Sequence, residues 1–209
     1  MPEPEQRGLL VDYGGVLTTD IWRSFDLFCA SEGLEAGRVK EMFRSDGEAL
    51  ALLRRLERGD VSDADFESNF GAMLSVEPEG LIGRLFAGLG PDEMMIAAVK
   101  AIRGAGIPTG LISNSWGTGI YERAPLDIFD ATVISGEVNL HKPEPEIYRL
   151  GAARIGVPPE SCVFVDDLRE NIAGAEAVGM TGVLHRGAAS TIPELERFLG
   201  IALGESGVR

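Results

Sequence analysis

The stretch GLLVDYGGVLTTD, residues 8–20, decides how this chain is read. Leu9 to Val11 make a short apolar run, which predicts a core strand. The run ends in Asp12, and Gly14 and Gly15 follow. A carboxylate at the end of a buried strand, followed by a glycine bend, sets a charge where backbone can approach a ligand closely. Taken singly, an aspartate in that place is a turn or helix-capping residue. The rest of the chain decides between the two.

Downstream of Asp20, and as far as about Leu89, no strand pattern is found. Ile21, Phe25, Phe28 and Cys29 recur at helical spacing. Ser62 with Asp65 three residues on reads as a helix start in SDADFESNFGAML. Gly59, Gly80 and Pro91 divide this region into several short helices. Beyond Pro91 the pattern alternates. Met95, Ala98, Val99 and Ile102 mark a helix face that GAG ends. IPTGLISNS, ATVIS, SCVFVDD and TGVLH read as strands. Helices are expected at about Pro145 to Ile155 and Leu168 to Val178, and Thr191 with Glu194 predicts the cap of a last one. The final residues, about Gly204 to Arg209, are expected to be loose. Strand–helix alternation implies a parallel sheet covered on both faces. The fold class is therefore α/β, a doubly wound, Rossmann-like parallel sheet with an inserted α-helical cap. The expected division is a core of residues 1–17 and 90–209, with residues 18–89 as the cap.

The bulk numbers agree with that architecture. A chain of 209 residues with 44% hydrophobic content can fill one sizeable core plus a modest subdomain. No apolar run reaches the roughly eighteen residues of a membrane span. The start MPEPEQRG lacks the pattern of a secretory signal. The expectation is a soluble, cytoplasmic protein, monomeric or homodimeric. Cys29 and Cys162 lie in apolar segments and are read as two buried free thiols. A formal net charge of −14 argues against nucleic acid and anionic membranes as partners. A small anionic substrate stays open, because local cations or a metal override the global field.

Ligands of such sheets bind beyond the carboxyl ends of the strands. Asp12 ends the first predicted strand, Ser113 and Asn114 the second, and Asp166 with Asp167 a later one. Lys142, in HKPEPEIY, precedes a proline that restricts its backbone. Three carboxylates, one ammonium and one hydroxyl thus gather at one place. Three carboxylates so close require compensation. A hard divalent cation provides it, and Mg²⁺ takes oxygen ligands from carboxylates, water and phosphate. Ser113 and backbone amides near Asn114 suit a phosphate. The group looks built to hold a tetrahedral anion over Asp12, whose carboxylate can attack phosphorus.

The order DYGGVL, LISNS, HKPEPEIY, FVDDLRENIAGAEAVGM resembles the haloacid dehalogenase superfamily, in its phosphatase-like branch with a helical cap after the first strand. The resemblance covers about residues 8 to 200. Carried over residue by residue, it implies Asp12 as nucleophile, Ser113 as the hydroxyl that holds the phosphoryl group, and Lys142 as the lysine that steadies both. It implies Mg²⁺ as cofactor, held by Asp12, the Gly14 carbonyl, Asp167 and, as ligand or support, Asp166. Substrate binding falls to Ser113, Asn114 and Lys142. Asn171 stands where many relatives have another acid. The departure is Gly14, where most family phosphatases carry a second aspartate that protonates the leaving group and activates water. Such help is typically worth about 10²–10⁴ in rate. Asp20 is the nearest candidate substitute in sequence.

Trp22, Arg23, Phe25, Arg44 and Trp116 are candidates for lining the substrate space, against core packing for the aromatics and plain surface for the arginines. Trp116, just past SNS, stands closest to the expected site. His141 is read as a loop-anchoring residue. GAGIPTG runs from helix into strand, the wrong direction for a phosphate-binding glycine loop. The resulting expectation is a Mg²⁺-dependent phosphohydrolase acting on a small phosphorylated metabolite, such as a sugar phosphate, through an aspartyl-phosphate. Two alternatives stay open: a metal-independent 2-haloacid dehalogenase, and a weakly active or inactive phosphate-binding regulatory protein. A receiver domain fits poorly, because its acidic pair lies on the first strand.

Overall fold

In the computed structural model, residues 7–117, 119–121 and 124–203 are described. Strand β1 (Gly8–Val11) is followed by five helices: α1 (Ile21–Ser31), α2 (Arg38–Ser45), α3 (Gly47–Arg58), α4 (Asp63–Leu74) and α5 (Leu81–Leu85). Then come α6 (Glu93–Gly104), β2 (Thr109–Ser113), β3 (Ala131–Ile134), α7 (Ser135–Val138), α8 (Pro145–Arg154), β4 (Cys162–Asp166), α9 (Arg169–Ala177), β5 (Thr181–Leu184) and α10 (Ala188–Leu199). The strands form one parallel sheet in the order β3-β2-β1-β4-β5, the doubly wound arrangement expected. The order reverses beside β1, which makes the carboxyl end of β1 and β4 the topological switch point.

Alternating residues of β1 fill opposite layers. Leu9 and Val11 join Met95, Val99 and Ile102 of α6 with Leu195 and Leu199 of α10. Leu10 joins Ile147 and Tyr148 of α8 with Ile172 and Ala175 of α9 on the other face. The strands are covered on both sides, so they are continuously apolar, as parallel strands are. Helices α1 to α5 build a separate core from Phe25, Phe28, Val39, Phe43, Leu52, Leu56, Phe66 and Phe70. Cys29 lies in that core and Cys162 starts β4, both as buried free thiols. Among the described residues no helix is long and apolar enough to cross a membrane.

Local signals explain several helix starts. Ser62 caps α4 by accepting from the Asp65 amide. Asp46 caps α3 through two amides, and Asp92 caps α6. The last helix departs from expectation. It starts at Ala188, with Gly187 as its cap at φ 119°, so Thr191 lies inside it. The Thr191 hydroxyl is 2.9 Å from His185 Nδ1 instead of capping the helix. The extended turn open to Gly187 lets the helix begin earlier than the Thr191–Glu194 pair implied. The expected looseness of residues 204–209 lies outside the described residues.

Helix α8 packs so closely on the sheet that a Cβ on Gly151 would lie 2.5 Å from Ile112 Cδ1 and 2.9 Å from Ile112 Cγ1. Gly151→Val is therefore expected to lower unfolding free energy by about 1–3 kcal/mol through overpacking, read from the midpoint of urea unfolding.

Candidate active site

The site grows from the end of β1. Val11 pairs with Leu111 and Val165 in the ladder, and the Asp12 amide still donates to the Val165 carbonyl. The backbone then turns tightly, with the Leu17 amide donating to Tyr13 O and the Gly15 amide to Thr18 Oγ1. Gly15 has φ 73°, and a Cβ there would come within 2.8 Å of Asp167 Oδ2. Only glycine fits between the bend and that carboxylate.

Lys142 is the centre of the charge arrangement. Its Nζ lies 2.7 Å from Asp12 Oδ1 and 2.7 Å from Asp166 Oδ2, with all three side chains buried. Asn114 holds the lysine backbone from both sides: its Oδ1 accepts from the Lys142 amide at 2.9 Å, and its Nδ2 donates to the Lys142 carbonyl at 3.2 Å. The face of Phe164 lies 5.6 Å from the ammonium. Asp166 is held from behind by Asn171 Nδ2, at 3.0 and 3.1 Å, and by the Leu168 amide. Ser113, at the end of β2, accepts a 2.8 Å bond from the Tyr121 hydroxyl. The structure thus brings Asp12, Ser113, Asn114, Lys142, Asp166, Asp167 and Asn171 to one sheet edge. Asp20 is exposed and caps α1 by accepting from the Trp22 amide at 2.8 Å, while its charge still acts on Asp167.

The electrostatics follow from crowding. Burial, with Asp166 and Asp167 beside it, pushes Asp12 up to about 7 despite the nearby Lys142. Burial and Asp166 push Asp167 up to about 6. Lys142, although buried, is kept protonated by Asp12 and Asp166 and its pKa lies above the ordinary lysine value. Three carboxylates against one ammonium leave an excess of negative charge. Asp12, Asp166 and Asp167 can each present one oxygen, all within 4.8 Å of one another. This all-oxygen donor set fits a hard divalent ion such as Mg²⁺, and the cradle at Gly15 keeps Asp167 unobstructed. Both oxygens of Asp166 already accept protein hydrogen bonds, which makes it chiefly a support.

The candidates for lining a substrate space divide differently. Trp116 is half-buried and packs on Phe25, Phe43, Phe66 and Phe86, with ring centroids at 5.5, 5.4, 6.3 and 5.3 Å. It belongs to the core of the helical segment. Phe25 is buried there too, Trp22 lies under Lys40, and Arg23 and Arg44 are exposed. His141 anchors its loop, with Nε2 2.9 Å from Arg58 Nη2. Two residues at this edge carried no sequence signal. Tyr121 is placed only by the fold. Glu57, in LLRRLERGD, reads as one more surface charge; its only clue is its place beside the apolar stripe Ala49, Leu52, Leu53 and Leu56.

Comparison with known proteins identifies the family. A family model described as haloacid dehalogenase-like hydrolase matches residues 7–179. The mouse acyl-CoA dehydrogenase family member 10 is 25% identical over 94% of this chain, which spans 19% of that protein's length. The sesquiterpene phosphatase astK of Aspergillus oryzae is 26% identical, with 70% of this chain and 78% of the relative covered. Among solved structures, a haloacid dehalogenase family enzyme of Bacteroides thetaiotaomicron, in complex with magnesium and inorganic phosphate, superposes with a TM-score of 0.68. It is 23% identical, with 86% of this chain and 94% of that one covered, and so speaks for the fold. With the matched segment running from the first strand to the end of the fourth strand's helix, the chain belongs to the haloacid dehalogenase-like hydrolases.

Proposed function

We propose that this hydrolase is a Mg²⁺-dependent phosphohydrolase that cleaves a small phosphomonoester through an aspartyl-phosphate on Asp12. The observation that carries the reading is the ammonium of Lys142, 2.7 Å from Asp12 and facing an acidic pair across the switch point. A carboxylate held this way has one oxygen steadied by the lysine and the other available to attack phosphorus. Lys142 and the Ser113 hydroxyl take the transferring oxygens, and backbone amides after β2 add donors at Asn114. The Asn114 side chain acts on Lys142 rather than on substrate. Asp12, Asp167 and the Gly14 carbonyl would hold Mg²⁺, with Asp166 behind them. When bound, the ion supplies positive charge for the phosphoryl oxygens. Positioning and electrostatic stabilisation account for most of phosphoryl-transfer catalysis.

In this reading residues 18–89 act as a cap over a core of 1–17 and 90–209, and exclude water while the phosphoryl group moves. The acidic pair weighs against carbon-attacking dehalogenation, which needs no metal. The match to a phosphatase relative supports phosphorus as the site of attack.

Two results are expected. In a screen of phosphorylated metabolites with and without Mg²⁺, the protein turns over at least one phosphomonoester and loses that activity in EDTA. Asp12→Asn then lowers kcat by about 10³-fold or more with an unchanged circular dichroism spectrum. No phosphomonoester turnover, together with halide release from a 2-haloacid that ignores chelation, points instead to the dehalogenase. Second, Mg²⁺ competes with protons on Asp12 and Asp167, whose values are raised to about 7 and about 6. The Mg²⁺-induced rise in Tm is expected to be full near pH 8 and to shrink as the pH falls through 7 to 5.5.

A further inference from the structure

The acid is absent at position 14, and the end of an α1 side chain has moved into its place. A Cβ on Gly14 would lie 2.5 Å from Ile21 Cδ1, so the terminal methyl of an α1 side chain fills that space. Asp20 is exposed, with its Oδ1 engaged in capping α1. Another carboxyl, that of Glu57, stands at the end of α3 where the helical segment meets the sheet.

Glu57 is the penultimate residue of α3, and that end of the helix is tied to the sheet edge at several points. The Glu57 carbonyl accepts from the Ser135 hydroxyl. The same Ser135 oxygen accepts from the Ser115 amide at 2.8 Å, two residues past Ser113. Arg58 donates to Glu144 at 2.7 Å and meets His141 at 2.9 Å, so it grips the residues on either side of the Lys142–Pro143 pair. At Gly59 the chains come so close that a Cβ would lie 2.9 Å from the Gly136 carbonyl oxygen. These ties set Glu57 over the carboxyl ends of β2 and β3. Its side chain is half-buried. The charged groups acting on it are Lys142, Arg54, Asp12 and Glu170, and Tyr121 feels it in turn. Among the described residues, no hydrogen bond or ion pair engages its carboxyl. Burial, reinforced by Asp12 and Glu170 and opposed by Lys142 and Arg54, pushes it up to about 7.

We infer that Glu57 is the general acid and base of this hydrolase, supplied by α3 in place of a residue at position 14; the inference rests on the phosphohydrolase reading above. In the first step an Asp12 oxygen bonds to phosphorus as the ester P–O bond breaks. The Glu57 carboxyl gives its proton to the departing oxygen, which releases the alcohol and leaves Glu57 ionised. In the second step Glu57 takes a proton from water while the water oxygen bonds to phosphorus and the bond to Asp12 breaks. Phosphate departs, Asp12 is again a carboxylate, and Glu57 is protonated as at the start. A carboxyl near neutrality can serve in both directions.

The test uses the full-length wild type, Asp12→Asn, Glu57→Gln and Asp20→Asn with Mg²⁺. The substrates are para-nitrophenyl phosphate and the best alkyl phosphate from the metabolite screen. Acid quenching traps the phosphoenzyme. Glu57→Gln is expected to lower kcat on the alkyl ester by about 10²-fold or more. With the nitrophenyl ester, whose leaving group needs no proton, the first release of nitrophenolate survives and phosphoenzyme accumulates. Asp20→Asn behaves as wild type. The inference is overturned if Glu57→Gln matches wild type on both esters, or if it slows both releases equally without phosphoenzyme build-up. If the wild type cleaves no phosphomonoester, or Asp12→Asn is as active as wild type, the phosphohydrolase reading fails and carries this inference with it.

Discussion

A single buried ammonium holds the functional edge of this protein together. Lys142 meets Asp12 from β1 and Asp166 from β4, so it joins the two strands between which the sheet reverses direction. Without that cation, two buried carboxylates would stand uncompensated, a situation that costs on the order of 3–5 kcal/mol when one partner of a buried pair is removed. The lysine is itself held, by Asn114 at both backbone polar groups and by the loop that Arg58 grips. Asp166 is tied in turn to Asn171 and to the start of α9. Each charged group is therefore positioned by a neighbour on a different element, which is the kind of support a preorganised site requires.

This arrangement leaves negative charge in excess. Asp12, Asp166, Asp167 and Glu57 all act on a space with one buried lysine. An incoming phosphate dianion would meet repulsion there unless more positive charge arrived with it or before it. The same imbalance raises the carboxyls toward neutrality and makes the site receptive to a divalent cation. In the proposed function, metal binding and proton binding would be two responses to one deficit of positive charge.

The sequence made the sheet legible because its strands are short apolar runs between turn residues, and each strand end carries a distinctive polar residue. DYGGVL, LISNS and FVDD read as strand ends and lie there, while HKPEPEIY, read as a loop, runs from the turn after α7 into α8. The partners of those residues were less accessible. Asn114 stood in a motif, yet its engagement with the backbone of Lys142 depends on how two distant loops meet. Glu57 and Tyr121 were silent, because a charge on an amphipathic helix and a tyrosine in a loop look the same whether they face solvent or a site. Thr191 misled for a local reason: a serine- or threonine-like cap signal competes with a glycine that can start the helix sooner. Asp20, nearest in sequence to the missing acid, spends one carboxyl oxygen on capping α1.

The position of Trp116 has an optical consequence. Its indole is three residues beyond Ser113 and is half-buried against four phenylalanines of the segment between β1 and β2. The other tryptophan, Trp22, sits half-buried beneath Lys40. Any swing of that segment away from the sheet must either pull the β2 loop along or draw the indole off those rings into water. Tryptophan emission responds to exactly that change of surroundings, so the protein carries its own fluorescent gauge of whether its two cores are engaged.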